Sequence, residues 1–258
     1  MLSYLQVKGR TFVMGDLHGC YECMQQMLQA LAFTPEQGDV VLGLGDLTDR
    51  GPDSLSCLRL LHQPWFHTIR GNHEQLMLTA LLGQSAQARK LWFMNGGSWY
   101  ETLDATTQEE VMALCHDKIA TLPYAMEITT RAQHRVGLVH ADPVFSHWQL
   151  LVNTLRAPAP DPELLEKLLW RRERLHHLRQ AHAIHTPEHP APPKDDHIAG
   201  IDLICLGHTP IPGEAPWASG NLLWLDNGCF CSNELPLVIL NIDEWLELHP
   251  PQHHSHHL

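Results

Sequence analysis

Five short stretches, most of them bounded by glycine, deliver the side chains that could do chemistry. They are Gly15-Asp16-Leu17-His18-Gly19, Gly45-Asp46-Leu47-Thr48-Asp49-Arg50-Gly51, Gly71-Asn72-His73-Glu74, a lone His140, and Gly207-His208-Thr209. Carboxylates, an amide and imidazoles in this mixture suit divalent ions such as Mn²⁺, Fe or Zn²⁺, and one carboxylate can bridge two of them. Two ions about 3.5–4 Å apart can bind phosphoryl oxygens and deprotonate a bridging water near neutral pH. Phosphate-ester hydrolysis needs that help, because a hydroxide must approach a centre that is already anionic. Asp16, His18, Asp46, Asn72, His140 and His208 supply the donor set, with Asp46 expected as the bridge. Asn72 is a neutral ligand and limits excess negative charge beside an anionic substrate.

The leaving alkoxide also needs an acid. His73 is adjacent to Asn72 but spared from ligation, and Asp49 can accept its other N–H, holding the ring and raising its basicity. Arg50 belongs to the same stretch and can clamp phosphate oxygens bidentately.

These residues must be carried by regular elements. Thr11-Phe12-Val13-Met14 reads as a buried strand ending at Gly15. A helix with Met24, Met27, Leu28 and Leu31 on one face follows. Asp39–Gly45 and Trp65–Ile69 read as further strands, and between them Asp53 suits the N-cap of a helix carrying Leu55, Leu58 and Leu61. This βαβαβ alternation implies parallel strands joined by helical crossovers. Each polar stretch lies just past the carboxyl end of a strand, the edge at which open α/β sheets bind ligands. Helices are expected over 76–82, 88–94 and 109–119, strands over 124–128 and 135–139, and one helix from Pro162 to Gln180. Residues 202–206, 222–226 and 237–240 read as strands. Thr186–Asp196, rich in Pro, His and charge, reads as an exposed loop.

The chain has 258 residues, 44% of them hydrophobic and 18% charged, which suits a folded protein with a substantial core. Its formal net charge of −12, with no basic stripe, argues against a nucleic-acid partner held through phosphates. No run of about 18 apolar residues is present to span a bilayer, and the first residues do not resemble a signal peptide. Seven scattered cysteines do not suggest a disulfide framework, so a reducing cytoplasm is expected. Cys20-Tyr21-Glu22-Cys23 lacks a second pair at zinc spacing and is expected to pack. One domain is expected over 1–245, followed by a disordered His/Pro-rich tail over 246–258.

The motifs GDxHG, GDxxDRG and GNHE, followed by a later His and a GH segment, resemble the signature of the phosphoprotein phosphatase family of calcineurin-like metallophosphoesterases. The likeness is to the bacterial and phage lambda-type serine/threonine phosphatases. It spans about Thr11 to Asn241 and includes Pro64-Trp65-Phe66, Met94-Asn95-Gly96-Gly97, His140-Ala141-Asp142 and Trp170-Arg171-Arg172-Glu173-Arg174.

The resemblance implies a central β-sandwich flanked by helices. It implies that Asp16, His18 and Asp46 bind one metal, and Asp46, Asn72, His140 and His208 the other. His73 would be the acid, paired with Asp49, while Arg50, Arg172 and Asn72 face the phosphate. Arg171 stands where relatives carry Asn and could compete with Arg172. The implied reaction is direct attack by metal-bound hydroxide on phosphoserine or phosphothreonine proteins, with phosphotyrosine as a further substrate. The implied metal is manganese, with iron, zinc or nickel as alternatives.

Symmetrical dinucleoside tetraphosphate hydrolase is the rival activity. Those relatives carry Ala-Arg-Gly where this chain has Asp49-Arg50-Gly51, and Asn-His-Asp in place of Asn72-His73-Glu74. Asp226-Asn227-Gly228 departs from the usual Asp-Thr-Gly of the phosphatases, and the Thr186–Asp196 loop is longer than in the phage type.

Overall fold

The computed structural model describes residues 1–83, 85–184, 196–232 and 234–251. In chain order the strands are β1 (Leu2–Gln6), β2 (Thr11–Met14), β3 (Val40–Gly43), β4 (Phe66–Thr68), β5 (Ala125–Thr129), β6 (Arg135–Val139), β7 (Leu203–Leu206), β8 (Trp217–Ser219), β9 (Leu222–Trp224) and β10 (Ile239–Asn241). The helices are α1 (Tyr21–Ala30), α2 (Ser54–Arg59), α3 (Asn72–Leu82), α4 (Ala86–Met94), α5 (Ala105–Asp117), α6 (Trp148–Leu155), α7 (Pro162–Trp170), α8 (Glu173–Ile184) and α9 (Ile242–Leu248).

Two sheets face each other. One has the order β10-β2-β3-β4 and the other β1-β5-β6-β7-β9-β8. Within the smaller sheet β2, β3 and β4 run parallel, linked through α1 and α2, as the alternation of strands and helices predicts. Asp53 caps α2 by accepting the N–H of Ser56 at 2.9 Å.

Successive strand residues point to opposite faces. Val13 and Leu42 therefore turn inward with Ile128, Val136, Leu138 and Cys205 of the larger sheet to form the sandwich interior. Phe12, Met14 and Val41 turn outward against Met24, Leu28 and Cys57 of α1 and α2. On the other side Val139, Ile204 and Trp224 pack under Trp148, Leu151, Leu168 and Leu178 of α6, α7 and α8. Both faces of the central strands are thus covered, which is why these strands read as continuous apolar runs. Truncating a fully buried inward residue such as Leu138 to Ala costs roughly 2–5 kcal/mol.

The helix expected over Pro162–Gln180 is two helices. The chain breaks at Arg171, whose backbone is extended, and α8 restarts at Glu173. Asp142, 1% exposed at its side chain, holds this corner, with Arg171 Nε at 3.7 Å and Arg174 Nε at 3.2 Å. Strands β1 and β8 and helix α6 were not evident in the sequence. Helix α9 runs past residue 245 and buries Leu246, so ordered chain extends beyond the expected start of the tail. Of the expected loop and tail, residues 186–195 and 252–258 lie outside the described residues. Among the described residues no helix is long and apolar enough to cross a membrane.

Candidate metal centre

Five strands end beside one another at a single edge of the sandwich. From β2, β3 and β4 the chain passes directly to Asp16, Asp46 and Asn72, and from β6 and β7 to His140 and His208. The site is therefore assembled across both sheets. His18, Asp46, Asp49, Arg50 and His208 all take positive φ, between 41° and 72°. Non-glycine residues seldom adopt that region, and they hold it where the surrounding fold over-determines the geometry.

Asp46 is fixed from beneath by Glu74, a fully buried residue of α3. Its carboxylate accepts the N–H groups of Asp46, Leu47 and Gly71, each at 2.8 Å. Burial, reinforced by the Asp46 charge, pushes the Glu74 carboxyl up to about 7 while those three N–H groups pull against it. Asp46 in turn accepts the His73 N–H at 2.9 Å. Burial disfavours its charge, yet the rings of His140, His73 and His18 hold its carboxyl well below the ordinary range.

The imidazoles are oriented by their outer nitrogens. His18 Nδ1 donates to the Thr48 carbonyl at 2.8 Å, and His140 Nδ1 to the Leu44 carbonyl at 2.7 Å. Each leaves Nε2 free of that proton and 3.5 Å from an Asp46 oxygen. His208 is reversed. Its Nε2 lies 3.2 Å from the Trp170 carbonyl, and its Nδ1 faces Asn72 Oδ1 at 2.9 Å. Asn72 Oδ1 is also 2.9 Å from His140 Nε2. Burial pushes the His18 imidazolium down to about 3 and that of His208 to about 2, so both rings are neutral near pH 7, the state a metal requires.

Among the described residues, two groups of donors lie within metal-ligating range of each other: His18, Asp46 and His73, and Asp46, His140 and His208. Asp46 is common to both. These are borderline nitrogen and hard oxygen donors around one shared carboxylate, and they fit a pair of divalent ions. Asp16 belongs to neither group, and its carboxylate accepts the His208 N–H at 2.9 and 3.1 Å. Burial and the neighbouring charges of Asp226 and Asp46 raise its pKa well above the usual value. Burial also pushes Asp226 up to about 6. Such a concentration of buried carboxylates is what bound cations offset.

Beside this centre His73 Nδ1 donates to Asp49 Oδ2 at 2.6 Å. His73 Nε2 is buried without a hydrogen-bond partner and lies 4.0 Å from Asp46 Oδ2. Burial opposes the charged ring, but the Asp46 charge and the Asp49 hydrogen bond outweigh it, and the His73 pKa is raised. The far side of Asp49 meets two residues that the motifs do not contain. Trp92 Nε1 donates at 3.0 Å and Trp99 Nε1 at 2.8 Å.

Arginines line the outer wall. Arg50 Nη1 is 3.0 Å from His18 Nε2, and its guanidinium lies 4.8 Å from the Phe230 ring centroid. Arg172 Nε sits 3.0 Å from His208 Nε2, whereas Arg171 turns to Asp142 and Glu173. Arg172 is thus the arginine beside the donor cluster. Asn227, the departure from Asp-Thr-Gly, staples its loop by accepting the Gly213 N–H and donating to the Pro236 carbonyl. The seven cysteines are all unpaired, Cys20 and Cys23 included.

Residues 9–212 match the model of the calcineurin-like phosphoesterases, and the chain belongs to that family. Serine/threonine-protein phosphatase 1 of Salmonella typhimurium is 34% identical over 88% of this chain and 90% of its own length. A symmetrical bis(5'-nucleosyl)-tetraphosphatase of Actinobacillus pleuropneumoniae is 44% identical over 28% of this chain and 27% of its own. A protein serine/threonine phosphatase structure from Saccharomyces cerevisiae shares the fold, with TM-score 0.50, 18% identity, and coverage of 87% of this chain and 70% of that one.

Proposed function

We propose that this protein is a serine/threonine protein phosphatase that uses two divalent ions, manganese foremost, on phosphoprotein substrates in the cytoplasm. The observation that carries the reading is the pairing of His73 with Asp49 at 2.6 Å beside a carboxylate, Asp46, shared by two donor groups. Similarity to a protein phosphatase over 88% of the chain supports it.

Asp16, His18 and Asp46 would hold one ion, and Asp46, Asn72, His140 and His208 the other. When bound, the ions supply positive charge against the phosphoryl oxygens and lower the pKa of the attacking water. Arg50 and Arg172 orient the phosphate for in-line displacement by forked hydrogen bonds. His73, held by Asp49, gives the proton on Nε2 to the departing serine or threonine oxygen. Asn72 keeps a neutral amide beside the substrate.

Purified protein supplied with Mn²⁺ should release phosphate from a phosphoserine peptide. Rapid cleavage of diadenosine tetraphosphate with no turnover of the peptide would overturn the reading in favour of a dinucleoside tetraphosphate hydrolase.

A further inference from the structure

We infer that Trp92 and Trp99 are positioning residues for proton transfer, their two indole N–H groups locking the Asp49 carboxylate in the orientation that presents one oxygen to His73. This rests on the reading of His73 as the acid.

Asp49 is fully buried and receives its donors from three directions. Oδ2 takes His73 Nδ1 at 2.6 Å, Oδ1 takes Trp99 Nε1 at 2.8 Å, and Trp92 Nε1 lies between them at 3.1 and 3.0 Å. Its backbone N–H donates to Ser54 Oγ at 2.9 Å. An indole nitrogen can only donate. With two such partners behind it, a carboxylate that turned away from His73 would give up hydrogen bonds to the indoles as well. A carboxylate so crowded keeps the ring at one angle, which the transfer from Nε2 to a leaving oxygen needs.

The glycine pair after α4 explains how the indoles get there. A Cβ on Gly97 would collide with Trp92 Nε1 and Cε2. Only a residue without a side chain lets the pyrrole ring of Trp92 lie against the turn while its N–H reaches Asp49. The Gly97–Thr102 turn then brings Trp99 round to the second oxygen. The Met94-Asn95-Gly96-Gly97 stretch, which carries no ligand, thereby gains a role.

The test is a series of aryl phosphomonoesters of rising leaving-group pKa, assayed with Mn²⁺. Trp99→Phe keeps an aromatic ring and removes the donor. Loss of a hydrogen bond to a charged group should lower kcat roughly tenfold for the poorest leaving group. The loss should shrink as the leaving group improves and needs less protonation, so the dependence of kcat on leaving-group pKa steepens, while KM and bound manganese stay the same. Trp92→Phe should act in the same direction. Adding Trp99→Phe to Asp49→Asn should cost less than it does alone. An equal loss across the whole series, or full additivity with Asp49→Asn, would overturn the inference. Because the series needs no phosphoprotein, failure on the phosphoserine peptide would strike the substrate assignment and leave this result to be judged separately.

Discussion

Asp16 and His208 lie 192 residues apart, yet the backbone N–H of His208 meets both oxygens of the Asp16 carboxylate, at 2.9 and 3.1 Å. One comes from the smaller sheet and the other from the larger. The contact depends on Gly207, where a Cβ would collide with Asp16 Oδ1. Gly207→Ala should therefore displace the carboxylate. Loss of an outer partner of a ligand typically lowers metal affinity by about 10–100-fold. Titration calorimetry with Mn²⁺ would show this, and unchanged affinity would mean that Asp16 does not serve the site.

His73→Asn should lower kcat on a phosphoserine peptide by about 10²–10⁴-fold, the usual contribution of a positioned acid. Bound manganese should be unaffected if His73 is not a ligand. His73 does lie within ligating range of His18 and Asp46, so metal content is the decisive measurement. A variant that loses an ion together with its activity would make His73 a ligand.

Chelation should abolish turnover, and Mn²⁺ should restore it. It should also lower the melting temperature, because an ion bound only by the folded state stabilises it by mass action. Activity that survives exhaustive dialysis against a chelator would remove the two-ion reading.

Far from the site, Asp39 gives a pH test of the fold. It accepts the Arg10 N–H at 2.9 Å, Arg10 Nη2 at 2.6 Å and the Thr34 N–H at 2.9 Å. Burial opposes its charge, but the Arg10 hydrogen bond, those backbone donors and the Arg10 charge outweigh it, and its pKa is lowered. A carboxyl whose folded pKa lies below the unfolded value of 3.8 contributes stability that is complete above 3.8 and lost as pH falls through the folded value. Asp39→Asn should cost about 1–3 kcal/mol near neutrality. Denaturant midpoints of the two proteins should converge as the pH drops below 4, and a difference that persisted there would refute the assignment.

Much of the site is legible in the sequence because several of the candidate ligands follow an apolar run closely, as Asp16 follows Thr11–Met14 and His140 follows Arg135–Val139. Run length and the abrupt switch to a polar residue mark a strand end without knowledge of the fold. Trp92 and Trp99 are silent by that measure. They read as core aromatics, and their partner Asp49 lies 43 and 50 residues away. Glu74 is visible as part of GNHE, but its grip on Asp46 and Leu47 depends on how α3 meets the loop after β3. The corner at Arg171 escapes because Leu164, Leu168, Leu175 and Leu178 keep one apolar face going across it, and Asp142, which holds it, comes from another part of the chain.

The division of donors between the sheets ties the centre to the core. Asp16, His18, Asp46 and Asn72 ride on one sheet, His140 and His208 on the other, and Val13, Leu42, Leu138 and Cys205 set the gap between them. Under the proposed chemistry, an ion spanning the two sets is a rivet through the sandwich as well as a reagent. Linkage makes that coupling reciprocal: a swollen interior loosens the ion, and a bound ion resists the swelling. Substitutions deep in this core are thus a route to altering metal retention without touching a single ligand.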